Sequence, residues 1–134
     1  MPISEHAGIW SVVKVPYPYT DRPTRQSRPA LVIAETGRES GLPLLWVLMV
    51  TSAENRGWPG DVPISDWALA GLPLASVVRT EKIATVDCRD VTCLGTLAPG
   101  NRSDVAERLR SVLADTLRGK MWKATDLRPR TEQR

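Results

Sequence analysis

The sequence predicts a mainly β fold: short strands in a strongly curved sheet that makes a small, partly open barrel, followed by one C-terminal helix. Three observations point there. Apolar runs rich in Val and Ile recur between turns that contain Gly and Pro. A helical spacing of apolar residues occurs near the end of the chain. The length of 134 residues suits one domain around a single core, and there is no internal repeat.

Taken in order, Ile9 to Val15 alternates loosely through Trp10, Val12, Val13 and Val15, which favours a strand. Pro16, Pro18 and Pro23 then forbid regular structure, so a mobile loop is expected over residues 16–27. Pro29 to Ala34 and Leu44 to Thr51 are continuous apolar runs with β-branched members, the pattern of strands buried on both faces. Gly37 and Gly41 mark the turn between them, and Ser52 to Gly60 forms a second loop. Asp61 to Ile64 reads as a short strand, and Ser65 to Leu69 as a single helical turn begun by Ser65. Ala75–Thr80, Ile83–Val86 and Cys93–Leu97 are expected to be three more strands. The helix spans roughly Ser103 to Arg118, capped by Asn101 or Ser103, with Val105, Leu109, Val112, Leu113 and Leu117 on the face that packs on the sheet. Gly119 ends it, which makes residues 1–118 the folded domain and 119–134 a basic, disordered tail.

Charge and composition narrow the function classes. Residues 120–134 hold five basic side chains against two acidic ones and so account for the whole formal net charge of +3. In the remainder, Arg22, Arg25 and Arg28 cluster in a segment whose acid is Asp21, a group able to face phosphate. No apolar run approaches the ~20 residues of a membrane span, and the N-terminus lacks a secretory layout, so a soluble cytoplasmic protein is expected. Cys88 and Cys93 are too few for a disulfide framework and lack clustered His partners for a metal, so both read as small buried side chains and no metal or other cofactor is expected. Trp10 and Trp46 read as core; Trp58 and Trp67 have loop-like neighbours, and Trp58 suits either base stacking or rim packing.

The chemistry-bearing segments are Gln26 to Ile33 and Val77 to Asp87. In the second, Arg79 and Glu81 stand two apart in an extended pattern, which sends both side chains to one face. The plain reading is a surface ion pair worth at most about 1 kcal/mol. The functional reading is a proton acceptor beside a cation, the two groups that metal-free cleavage of RNA requires at a ribose 2'-hydroxyl and its phosphate. Arg79 would be that cation and Glu81 that acceptor. Thr51 and Ser52 read as ordinary formers of a turn at a strand end.

The order Gly8-Ile9-Trp10, Arg28-Pro29-Ala30-Leu31-Val32-Ile33, Val50-Thr51-Ser52, then Ser76 to Glu81 and Thr85-Val86-Asp87, resembles the MazF/PemK (Kid) family of toxins of type II toxin–antitoxin modules, from about Gly8 to Leu117. The resemblance implies an SH3-like five-stranded barrel with a small extra sheet and a C-terminal helix, assembled as a homodimer. It also implies a metal-independent endoribonuclease that cuts single-stranded RNA at a short sequence through a 2',3'-cyclic phosphate, held inactive by a cognate antitoxin. The residues that match the family's active site are Arg28, Thr51, Arg79 and Glu81, and the resemblance implies Arg28 and Arg79 as clamps on the phosphate, Glu81 as the base, and the hydroxyls of Thr51 and Ser52 as donors to a phosphate oxygen or to place the ribose. Arg22, Arg25, Ser52, Arg56, Trp58 and Lys82 are the RNA-binding candidates. Glu81 stands where the PemK branch has Asp, and the first loop lacks that branch's His, since His6 lies upstream. Two further readings remain: a CcdB-like gyrase poison on the same fold, although Trp122 with its basic tail does not match that protein's Trp-Gly-Ile end, and a catalytically silent antitoxin-binding relative.

Overall fold

The computed structural model describes residues 7–16 and 27–119, so the expected loop at 16–27, with Arg22 and Arg25, and the tail beyond Gly119 lie almost wholly outside the described residues. Six strands and one helix follow in chain order: β1 (Ser11–Pro16), β2 (Ser27–Thr36), β3 (Leu44–Ser52), β4 (Asp61–Pro63), β5 (Ser76–Asp87), β6 (Thr92–Thr96) and α1 (Pro99–Leu117). They form a single antiparallel sheet of order β4-β5-β3-β2-β1-β6. The mainly β fold with a C-terminal helix is as expected. The sheet is open, with β4 and β6 as its edges.

Its central strands are apolar without alternation because both faces are covered. Val12, Leu31, Leu48, Val50 and Val78 pack on one face with Val62, Ile64, Leu72, Leu97 and Val105 of α1. On the other face Val13, Val15, Ala30, Val32, Val47 and Met49 pack with Val91. β1 starts two residues later than the apolar run suggests. Trp10 sits at φ +77°, a conformation that a bulky side chain rarely adopts, and is held there by bonds from its N–H to Val32 O (2.8 Å) and from Leu97 N–H to its own carbonyl (2.9 Å).

Six expectations are corrected. The segments Ala75–Thr80 and Ile83–Val86 are one twelve-residue strand, β5, whose register against β3 breaks between Leu48 and Val50. Val50 pairs with Val78 but Leu48 pairs with Ile83, so four residues of β5 stand opposite Met49 alone. This is an enlarged bulge with three extra residues, and the odd number reverses the alternation of side chains beyond it. Second, Ser65 begins no helix. Its N–H and hydroxyl both donate to Asn101 Oδ1 (2.9 and 3.0 Å), and the turn that follows is held by Leu69 N–H on Asp66 Oδ1 (3.0 Å).

Third, α1 starts at Pro99, whose missing N–H costs nothing in a first turn, and its cap residue Ala98 makes no side-chain bond. Asn101, expected as a cap, is buried inside that turn and ties the helix to the chain after β4, also donating to Pro63 O (3.3 Å). Asn101→Ala leaves Ser65 N–H and Pro63 O without these bonds and is expected to cost about 1–3 kcal/mol; a urea melt with an unchanged midpoint would refute that role. Fourth, the helix buries only its early part. Val105 is fully buried and Leu109 packs on the core, while Val112, Leu113 and Leu117 are 53, 46 and 76% exposed. Trp46, expected in the core, is 44% exposed, where β3 pairs it with Thr85 of β5. Cys88 and Cys93 are free thiols and half-buried rather than buried.

At the far end of β5, Asp87 stops the strand by turning its carboxylate onto Arg89. It accepts from Arg89 N–H (2.8 Å) and from the guanidinium (2.6 and 3.0 Å), and the side-chain bonds hold its pKa down at about 2. No helix among the described residues is long and apolar enough to cross a membrane.

Candidate functional site

The ends of three strands meet on one face. β2 begins with Ser27-Arg28, antiparallel to Val15-Pro16, which sets Arg28 at the mouth of the β1–β2 pair. β3 runs out through Thr51-Ser52 into a single 3-10 turn, Ala53–Asn55. That turn folds Asn55 back so that its amide donates to Thr51 Oγ1 (3.0 Å) and Ser52 Oγ (3.3 Å). Each hydroxyl accepts from Asn55 and keeps its own hydrogen for an outside acceptor.

β5 supplies Arg79, and the short β4 supplies its cross-strand partner, Asp61. The Arg79 guanidinium donates to Asn55 O and lies with Nε 3.5 Å from Asp61 Oδ1. Asp61 turns its other oxygen to the loop, accepting from Gly57 N–H (3.1 Å) and Trp58 N–H (3.2 Å). Those bonds fold residues 56–60 so that the Trp58 ring covers the guanidinium at 4.4 Å, within the range of a cation–π contact. Lys82 reaches the same ring at 5.9 Å.

The result is a cavity of about 140 Å³ lined by Arg28, Met49, Val50, Thr51, Arg79 and Lys82. Three of its six lining residues are cationic and one is a hydroxyl. Such a hollow suits an anion with several oxygens, each accepting from a different donor. Among the described residues, no three His, Cys, Asp or Glu side chains gather to hold a metal ion.

Of the four residues put forward as one catalytic group, the fold brings Arg28, Thr51 and Arg79 together, but Glu81 is not in the lining. The expectation that Arg79 and Glu81 share a face rested on an unbroken period of two. The register break in β5 ends that period at Glu81: Thr80 is buried with its hydroxyl on Gly60 O (2.7 Å), and Lys82 returns to the side of Arg79. The Glu81 carboxylate stands over Gly60 instead, 3.3 Å from where a Cβ on that glycine would sit.

The RNA-binding candidates divide likewise. Lys82 lines the cavity, Ser52 accepts from the Asn55 amide that also holds Thr51, the Trp58 ring covers Arg79, and Arg56 turns back to Ala53 O (3.1 Å). Arg22 and Arg25 lie outside the described residues. Sequence reasoning missed Asn55 and Asp61. Their signal was present as an Asn and an Asp flanking a Gly-containing loop, but their partner, Arg79, lies some twenty residues further on.

Comparison with solved structures gives folds of the same kind. The chain matches the MazE–MazF complex of Deinococcus radiodurans at 21% identity and a TM-score of 0.61, covering 79% of this chain and 94% of that one. It matches the Mycobacterium tuberculosis toxin MazF-mt6 at 20% identity and a TM-score of 0.59, covering 84% and 99%. A mycobacterial endoribonuclease in complex with its cognate antitoxin matches at 19% identity and a TM-score of 0.59, covering 86% and 97%. Curated protein sequences give no match. The family model described as PemK-like, MazF-like toxin of type II toxin–antitoxin system matches residues 9–113, most of the chain. With the open antiparallel sheet and its C-terminal helix, that match shows that the chain belongs to the PemK-like, MazF-like toxins of type II toxin–antitoxin systems.

Proposed function

We propose that the protein is a metal-independent endoribonuclease that cuts single-stranded RNA in the cytoplasm and so inhibits translation. The observation that carries this reading is the meeting of Arg28, Thr51, Arg79 and Lys82 in one phosphate-sized hollow. The ribose 2'-oxygen attacks the adjacent phosphorus and loses its proton to water. The bond to the 5'-oxygen breaks, and that oxygen takes a proton from water, leaving a 2',3'-cyclic phosphate and a 5'-hydroxyl. Charge accumulates on the non-bridging oxygens as phosphorus becomes five-coordinate. Arg28 and Arg79 meet it with paired N–H groups, Lys82 with a point charge, and Thr51 with its hydroxyl hydrogen.

Glu81 stands apart from the reacting atoms in this scheme, because its carboxylate faces Gly60. Glu81→Gln is therefore expected to lower the cleavage rate by less than about tenfold, and Lys82→Met by about 10²-fold, the usual cost of one missing charge-stabilising donor. A loss of about 10²-fold or more in Glu81→Gln would return the carboxylate to the reaction as its base.

The partners follow from the same reading. Residues 1–118 act as a homodimeric toxin domain, a state favoured by the exposed Val112, Leu113 and Leu117 on α1. A cognate antitoxin covers the cationic hollow, as the complexed state of the structural relatives suggests. Incubating the pure protein with a defined single-stranded RNA in EDTA and mapping the new ends tests the reading: 2',3'-cyclic phosphate ends support it. Intact RNA together with inhibited DNA supercoiling would support the gyrase-poison alternative, and intact RNA with tight antitoxin binding the silent relative.

A further inference from the structure

Asp61 and Arg79 form the one ion pair among the described residues in which both side chains are largely buried, at 8% and 11% exposure. Their facing atoms, Asp61 Oδ1 and Arg79 Nε, are buried and without a hydrogen-bond partner, 3.5 Å apart. The other ion pairs join exposed arginines to acids two or three residues away along the chain. Burying two charges has a desolvation cost that packing alone would not justify, since apolar side chains of similar volume fill such space equally well. The retained pair does something that apolar packing does not. It gives the guanidinium plane a fixed direction.

We infer that Asp61 is a positioning residue for the reaction proposed above: it orients Arg79 toward the scissile phosphate and, through the same carboxylate, closes the 56–60 loop over it. The inference rests on the endoribonuclease reading, and it assigns Asp61 no contact with RNA. Three constraints meet on Arg79. Asn55 O takes one terminal N–H, Asp61 draws the Nε edge, and the Trp58 ring covers one face. The guanidinium lines the hollow shared with Arg28 and Thr51 under these constraints. The separation of 3.5 Å exceeds the ~2.9 Å of a normal N–H···O bond, so the pair acts by charge. Asp61 Oδ2 holds Gly57 and Trp58 by their N–H groups, so one side chain sets both the aim of the cation and the lid above it.

Asp61→Asn separates the two jobs. The amide oxygen still accepts from Gly57 and Trp58, while the charge that orients Arg79 is gone. Under single-turnover conditions this variant is expected to cleave single-stranded RNA about 10²-fold more slowly, the cost of a displaced reacting group. Its half-saturating RNA concentration, and its affinity for the 2'-O-methyl version of the same oligonucleotide, should change by less than about threefold, because Arg28 and Lys82 still supply charge. Asp61→Glu keeps the charge one methylene too far and should recover part of the rate. An independent readout is the Arg79 Nε–Hε signal in a ¹⁵N–¹H spectrum, which should stand apart in the wild type and merge with those of solvent-exposed arginines in Asp61→Asn.

Cleavage by Asp61→Asn within threefold of wild type would overturn the inference. So would a loss of rate accompanied by a backbone amide spectrum altered throughout, since that marks a merely structural role. If the wild type cleaves no RNA, the endoribonuclease reading falls, and the Nε–Hε signal still decides whether Asp61 holds Arg79: an unmoved signal sinks the inference on its own.

Discussion

Arg79→Ala is expected to abolish the proposed cleavage and to weaken the fold at the same time. On the reaction side, removing a charge-stabilising donor from the hollow costs about 10²–10³-fold in rate. On the folding side, it leaves the carboxylate of Asp61, 8% exposed, buried without its cation, a loss of about 3–5 kcal/mol. For a domain of this size that corresponds to a fall of roughly 10–20 °C in the unfolding midpoint. Cleavage assays well below the lowered midpoint, alongside melts followed by circular dichroism, separate the two effects. Arg79→Lys keeps a charge near Asp61 but loses the planar fork, so it should recover more of the stability than of the rate. Full activity in either variant at a temperature where it is folded would remove Arg79 from the reaction.

Gly71→Ala is expected to be among the most damaging small changes far from the hollow. Gly71 sits at φ +77°, and a Cβ there would overlap the Leu94 carbonyl, with the carbonyl carbon at 2.6 Å and the Leu94 Cβ at 3.0 Å. From the other side, a Cβ on Gly95 would meet the Ala70 carbonyl carbon at 2.6 Å. The turn before β5 and the edge strand β6 thus touch backbone to backbone, joined by Thr96 N–H on Leu69 O (3.2 Å). The substitution adds a left-handed penalty of about 1–2 kcal/mol to an overpacking cost of about 1–3 kcal/mol. The urea midpoint should drop accordingly, and an unchanged midpoint would mean that β6 can slide away from the turn without loss.

The sequence made the fold legible where burial is two-sided and local. Leu31, Val32, Val47 and Leu48 are fully buried because unbroken apolar runs need cover on both faces, and the runs announced that directly. Arg28, Thr51 and Arg79 were legible as a group by their order along the chain. What escaped was set by pairings between distant segments. The break in β5 depends on how Leu48 and Val50 align with Ile83 and Val78, some thirty residues away, and nothing local in Arg79-Thr80-Glu81-Lys82 marks it. The stretch reads equally well as a charged turn between two strands. Asp61 has the local signature of a strand start, and its role depends on lying across from Arg79. Asn101 has the composition of a cap, and the competing demand of Ser65 and Pro63 drew it into the interior instead.

The kink opposite Met49 has an evolutionary consequence. Gaining or losing one residue between Val78 and Ile83 would swap which of Glu81 and Lys82 overlooks the groove, setting a carboxylate against the two arginines and weakening the hold on polyanions with every other amino acid unchanged. Indels at this point are therefore a short mutational route by which such a protein could tune its grip on polyanions while keeping its scaffold.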